Sequence, residues 1–243
     1  MEHIGVRETI NLCGLTFNVE TILMTWLSMF IVVVFAGLAV RRLKAVPTGC
    51  QNCLEIVISW LQSQASAMMG ARSKIFEPLI VALFLFLLSS NLLGLIPFLE
   101  SPTNDLNTTL GMALLIVTIV HISGLYFHGS HYIAHFFKPF APFVVINMIE
   151  ELAKPVTLAF RLFGNILAGE ILIIVLLHLV PVWMPVPSVI WLGFSIFIST
   201  VHAVIFTMLS MAYIGNDNRK GKKSQAKKKS GENVRFEWTF RLA

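Results

Sequence analysis

Residues 143–178 read FVVINMIEELAKPVTLAFRLFGNILAGEILIIVLLH, and the reading of this stretch decides the class of the whole chain. Its apolar residues follow one helical pattern over 36 positions, which at ~1.5 Å per residue makes a rod ~54 Å long. The hydrocarbon core of a bilayer is only ~30 Å thick. A helix of that length must tilt strongly, break, or run out of the membrane, and Pro155 permits a kink without dividing the pattern. Inside it lie Glu150, Glu151, Lys154, Arg161, Asn165 and Glu170. An arginine at the bilayer centre costs ~2.5–3.5 kcal/mol even on a lenient insertion scale, so such a residue faces a cavity or a partner.

Placement around the helix sorts these groups. At about 100° per residue, Asn165 falls ~40° from Arg161, and Lys154 and Glu150 fall within ~20° of its meridian. Glu170 falls ~180° away and looks in the other direction. Glu150 and Lys154 also make a Glu-to-Lys i, i+4 pair in the favourable order, so a helix-stabilising ion pair explains them as well as an ion exit does. Glu151 has no such partner at that spacing and is the better exit candidate of the two carboxylates. Gly164, Ala168 and Gly169 leave a smooth surface, which suits packing against a neighbouring helix or a sliding contact with a moving partner.

Outward from this stretch the chain is a series of apolar runs. A first span covers about 19–40 and ends at Arg41, Arg42 and Lys44, a basic stop that places the amino terminus outside and the next loop in the cytosol. Residues 50–70 repeat Leu54, Val57, Leu61, Ala65 and Met68 at helical spacing opposite Glu55, Ser59, Gln62, Ser63 and Ser66, an amphipathic helix at the cytosolic surface. Spans at about 75–98 and 109–127 follow, joined by a polar, acidic external loop at 100–105. After the long helix a Pro-rich turn at 181–187 leads into a second long helix, about 186–214. The two long helices form a strongly tilted antiparallel hairpin. The second carries Ser195, Ser199, His202 and Tyr213 on one face, and His202 is the member able to relay protons near neutral pH.

The expected fold is therefore an all-α polytopic membrane protein: about five spans and one interfacial helix in a single membrane domain, 1–215, then a basic cytosolic tail, 216–243. Composition agrees. The chain is 56% hydrophobic and 13% charged, against about 25% charged in soluble domains. Residues 1–215 hold nine basic and ten acidic side chains, and residues 216–243 hold nine basic and three acidic, so the net charge of +5 resides in the tail. That is a topology signal, and nucleic acid is not indicated as a partner, because no reading element surrounds the basic run. Cys50 and Cys53 form a lone CxxC that reads as two reduced thiols. His128, His131 and His135 read as interfacial histidines, and nothing in the first eighteen residues resembles a cleaved leader. No phosphate-cradling loop, catalytic triad or metal-ligand cluster is in view, so neither an enzyme nor a cofactor is expected.

Four motifs carry a family resemblance. Residues 154–170 (KPVTLAFRLFGNILAGE), 91–97 (NLLGLIP), 102–109 (PTNDLNTT) and 201–215, from Val201-His202 through Ala212-Tyr213-Ile214-Gly215, together resemble subunit a of F-type ATP synthases, in the bacterial and chloroplast form. The resemblance covers about 72–215. It implies that Arg161 is the essential arginine beside a rotor ring, and that Asn165 and Glu170 line the outer half-channel, joined there by His202, Ser195 and Ser199. The family usually carries Gln at the position of His202, and some members carry His where this chain has Ser195, so a titratable group has shifted along the helix. The implied mechanism is proton translocation through two offset half-channels, with Arg161 blocking a direct leak; Glu150 and Glu151, by their place on the helix, are the candidates for a cytosolic exit. The implied partners are a ring of c subunits, peripheral-stalk b subunits, the rest of the synthase and the lipid bilayer, in a bacterial plasma membrane. A sodium-translocating version of the subunit and a secondary transporter are the alternatives.

Overall fold

The computed structural model describes residues 9–12, 15–41, 47, 49–96, 99, 101–128, 143–179 and 189–215. The basic residues Arg42 and Lys44, Glu100, His131, His135, the turn at 181–187 and the tail at 216–243 lie outside the described residues, as do the side chains of Asn165 and Glu170.

Six helices make up almost all of the described chain: α1 (Val19–Val40), α2 (Cys50–Met69), α3 (Ser73–Leu93), α4 (Leu106–His128), α5 (Phe143–Leu179) and α6 (Val189–Gly215). Four of them, α1, α3, α4 and α6, are long and apolar enough to cross a membrane. The chain is thus a polytopic helical membrane protein. Its α5 runs for 37 residues without interruption through the buried Pro155, so of the options open to an overlong helix, breaking at the proline is not the one taken. A short antiparallel hairpin precedes α1, with β1 (Thr9–Leu12) against β2 (Leu15–Asn18) in the register Thr9↔Asn18 to Leu12↔Leu15. Nothing in the apolar pattern anticipated it.

The helices share one packed interior. Leu61 of α2, Ile80 and Leu87 of α3, Ile116 of α4, Leu158 of α5 and Met211 of α6 are fully buried in a single cluster. The outside is the reverse of a soluble protein: Trp26 is 72% exposed, Phe30 66% and Val33 68%, all on α1. Such a surface is stable where lipid is the solvent. Buried Leu gains little there from water exclusion, so close packing and interhelical hydrogen bonds hold the bundle.

Those bonds concentrate where α3 ends. The helix stops at Leu93, short of the expected 98, because Ile96 precedes Pro97 and a residue before proline is pushed out of the helical region. The chain leaves in tightened turns, with Leu95 N–H donating to Leu92 O and Ile96 N–H to Leu93 O, both at 3.1 Å. The polar loop then folds inward: Ser101, Pro102, Thr103, Asn104 and Asp105 are all buried around a short 3₁₀ turn. Ser101 Oγ donates to Ser90 O (3.0 Å), and Thr103 Oγ1 donates to Asn91 Oδ1 (2.8 Å). Ser28 Oγ of α1 and Ser90 Oγ of α3 share a buried bond of 2.8 Å. Interhelical bonds of this kind are worth about 0.6 kcal/mol each in a membrane. Gly94 is obligatory here, since a Cβ would sit 2.5 Å from Ser101 Cβ.

Asp105 closes this end of the bundle. Its Oδ2 accepts from Asn18 Nδ2 (2.7 Å) and Thr21 Oγ1 (3.3 Å), and its Oδ1 accepts from the Asn107 N–H (2.9 Å). It therefore starts α4 as an N-cap, three residues before the expected 109, and ties β2 and α1 to α4. At the opposite end the last turn of α6 lies so close to α2 that a Cβ on Gly215 would be 2.6 Å from Met68 O, and the Arg72 guanidinium stacks 4.3 Å above the Phe127 ring of α4. Replacing Asp105 by Ala is expected to destabilise the chain by about 1–2 kcal/mol, with Asp105→Asn recovering part of the loss because Asn also caps. Thermal unfolding of the purified chain in detergent measures this.

Candidate functional site

The polar faces of α6, α3 and the inward loop converge on a cavity of ≈ 240 Å³. Ser195, Ser199 and His202, spaced 4 and 3 apart, line it from α6, as the helical period requires. The buried Asn91 lines it from α3, Ser101 from the loop, and Ile166, Ala168 and Gly169 from α5. Trp191 and Phe194, with ring centroids 5.5 Å apart, form the apolar wall near the start of α6. A water needs ~10–15 Å³ of such space, so several fit. Asn91 is the keystone of the wall: it accepts from Thr103 Oγ1 and its Nδ2 donates to Ser199 O (3.3 Å), joining α3, the loop and α6.

A second, far smaller void of ≈ 10 Å³ lies next along the α5–α6 interface, lined by Leu158, Arg161, Leu162, His202, Ile205 and Phe206. His202 belongs to both linings. Its Nδ1 lies 2.8 Å from Ile198 O, one turn back on α6. A carbonyl oxygen only accepts, so Nδ1 carries the proton and the basic lone pair of the neutral ring is on Nε2.

Arg161 stands at the edge of the interface. Its neighbours Leu158, Ala159 and Leu162 are buried, whereas Arg161 itself is exposed. It belongs to a stripe of exposed apolar and small residues along α5 that runs through Leu152, Val156, Phe160, Gly164, Ala168 and Ile171. Within the bundle alone, the side of α5 that carries Arg161 is exposed.

Lower on α5, the charges sort differently from expectation. Lys154 Nζ donates to Glu151 at close hydrogen-bonding distance, and Glu150 is 3.9 Å from it. Glu151, expected to lack a partner, has the tighter one through the i, i+3 spacing, and both of those side chains are only 20% exposed. Glu150 is 62% exposed, so it is the carboxylate open to solvent. The structure therefore brings Ser195, Ser199, His202 and Arg161 together and sets Glu150, Glu151 and Lys154 apart, lower on α5. Gly169, immediately before Glu170, lines the cavity. Asn91, Ser101 and Trp191 were not singled out as site residues; an amide inside an apolar span was the signal available for Asn91.

A cavity with serine, asparagine and histidine on its wall, set between helices fit to cross a membrane, with a smaller void beside an arginine next to it, suits a protein that moves ions through a bilayer. The family described as ATP synthase A chain matches residues 22–215. Over 212 residues the chain is 44% identical to the ATP synthase subunit a of Desulforamulus reducens, covering 84% of this chain and 81% of that protein. The subunits a of Geobacter sulfurreducens (38% identical, 80% of this chain and 86% of that protein covered) and Moorella thermoacetica (37%, 81% and 89%) are similar over 199 residues each. The chain belongs to the ATP synthase subunit a family, the ion-translocating, non-catalytic membrane-sector stators of that machine. Replacing Asn91 by Leu, near in size but without polar atoms, is expected to cost about 0.5–1.5 kcal/mol for each of the bonds it removes, to Thr103 Oγ1 and to Ser199 O, while Thr103 keeps Ser101 Oγ as a partner. Unfolding in detergent reads the loss.

Proposed function

We propose that this chain is the proton-translocating stator subunit of a bacterial rotary ATP synthase, working through two offset half-channels against a ring of c subunits. The observation that carries the reading is the position of Arg161: on an open apolar stripe of α5 that a partner would cover, yet bordering a void shared with His202. The ≈ 240 Å³ cavity is the inner part of the external half-channel, with Ser195, Ser199 and His202 on its wall and Asn165 and Glu170 on the adjoining turns of α5. Glu150, with Glu151 held by Lys154, lines the cytosolic exit.

Protons arriving from outside neutralise a ring carboxylate, which then turns through lipid at small cost. On its return the carboxylate ionises near Arg161, whose guanidinium stays charged at any working pH. That cation favours the ionised acid and separates the two half-channels. The membrane potential supplies ~2.3 kcal/mol per charge per 100 mV for the turn.

Residues 1–215 form the membrane domain, the basic tail at 216–243 lies in the cytosol, and the amino terminus with its hairpin is outside, as the basic residues Arg41 and Arg42 after α1 and Arg72 and Lys74 before the second span support. Peripheral-stalk b subunits hold the chain against rotation, in the plasma membrane.

In reconstituted complex, Arg161→Ala is expected to abolish coupled ATP synthesis while leaving assembly intact. Synthesis driven separately by proton and sodium gradients decides the ion; retained coupling in the variant would remove Arg161 from this role.

A further inference from the structure

We infer that Cys50 and Cys53 are a redox-active pair, which a low-molecular-weight disulfide closes into a reversible intrahelical disulfide at the first turn of α2. The pair lines neither the cavity nor the void beside Arg161, and it stands independently of the half-channel reading.

The geometry of that turn carries it. Both cysteines are free and exposed, so a small reagent reaches them. They are the first and fourth residues of α2, and the buried Gln51 and Leu54 beside them hold the helix against the bundle. At ~1.5 Å rise and ~100° per residue, Cα atoms three residues apart on a helix lie ~5 Å apart. A disulfide spans Cα atoms about 4.4–6.8 Å apart, so the backbone spacing suits one.

The side chains have further to go. Cβ atoms at this spacing lie ~5–6 Å apart, and a disulfide needs ~3.5–4.5 Å. The first turn can give by that difference. No side chain caps it, Gly49 before it is exposed and turns at a φ of 64°, and Cys53 N–H donates to Gly49 O at 3.2 Å. Gln51 Nε2 donates to Glu55 Oε1 (2.7 Å), so the second turn keeps its place while Gly49 and Cys50 adjust. A disulfide closed under such strain is readily reduced, which makes the dithiol the resting form under reducing conditions and the disulfide a transient one. A structural zinc takes four ligands, and among the described residues no group of three or more His, Cys, Asp or Glu gathers to supply them.

The reaction is thiol–disulfide exchange. One cysteine, as thiolate, attacks the small disulfide, and half of that reagent leaves as a thiol, taking up the proton the cysteine gave up. The second cysteine then displaces the other half from the mixed disulfide in the same way. The two cysteines lose two electrons and two protons, and the small disulfide gains them to become two thiols.

The test uses the assembled complex in detergent, with Cys13→Ser in this chain so that Cys50 and Cys53 are its two thiols. Glutathione disulfide is added, remaining thiols are alkylated, and the mass of the separated chain is read with and without a reductant. The expected result is joint loss of both thiols with no glutathione retained, and recovery of both on reduction. Cys50→Ser and Cys53→Ser, each without a second sulfur to finish the exchange, are expected to stop at one bound glutathione. Thiols that stay open to alkylation overturn the pair, and so do two glutathiones held on the chain or a disulfide that the reductant does not reopen.

Discussion

A guanidinium cannot be discharged at any pH a living membrane meets, and so it cannot escape the cost of low dielectric by losing its proton. Everything around Arg161 is arranged under that constraint. Leu158, Ala159 and Leu162 bind α5 into the bundle on one side, so the arginine is delivered to the other at a fixed height and angle. The helix carrying it runs unbroken for 37 residues, and a rigid rod transmits that placement better than a jointed one. Arg161 is absent from the lining of the larger cavity, and His202 borders both that cavity and the small void that Arg161 lines.

The other end of the design is the clasp of small polar side chains around Ser90 and Asn91. Serine, threonine and asparagine are short, so helices joined by them come close, and each bond in this clasp is satisfied inside the protein. Asn91 reaches the α6 backbone at Ser199, three residues before His202. The clasp thereby sets the position of the α6 face on which the cavity depends, linking the turn after α3 to the histidine through a single amide.

Much of this was legible in the sequence, and the reasons for the rest are physical. Apolar runs at the 3.6-residue period locate α1, α3, α4 and α6, because a helix that must satisfy its own backbone in lipid leaves a strong pattern. The same period brings Ser195, Ser199 and His202 to one wall. The hairpin at Thr9–Asn18 went unread because strands of four residues, Thr9–Leu12 and Leu15–Asn18, are too short for a period-2 pattern to stand out. The stretch 101–105 reads as a polar external loop, and nothing in its composition says that it is buried: its partners, Ser90 and Asn91, lie elsewhere in the chain. Glu151 was misjudged because i, i+4 was weighed and i, i+3 was not, although both lie on one helix face. Asn91 and Ser101 join the cavity only through tertiary folding.

The inward-folded segment from Ser101 to Asp105 has a practical side. By composition it is the kind of loop into which a fluorescent reporter or an epitope is commonly spliced. Its backbone and side chains are instead committed to the interior, with Gly94 pressed against Ser101 and no slack to absorb an insertion. Labelling strategies for this subunit do better at a terminus, and the short stretch between α3 and α4 belongs to the frame of the protein.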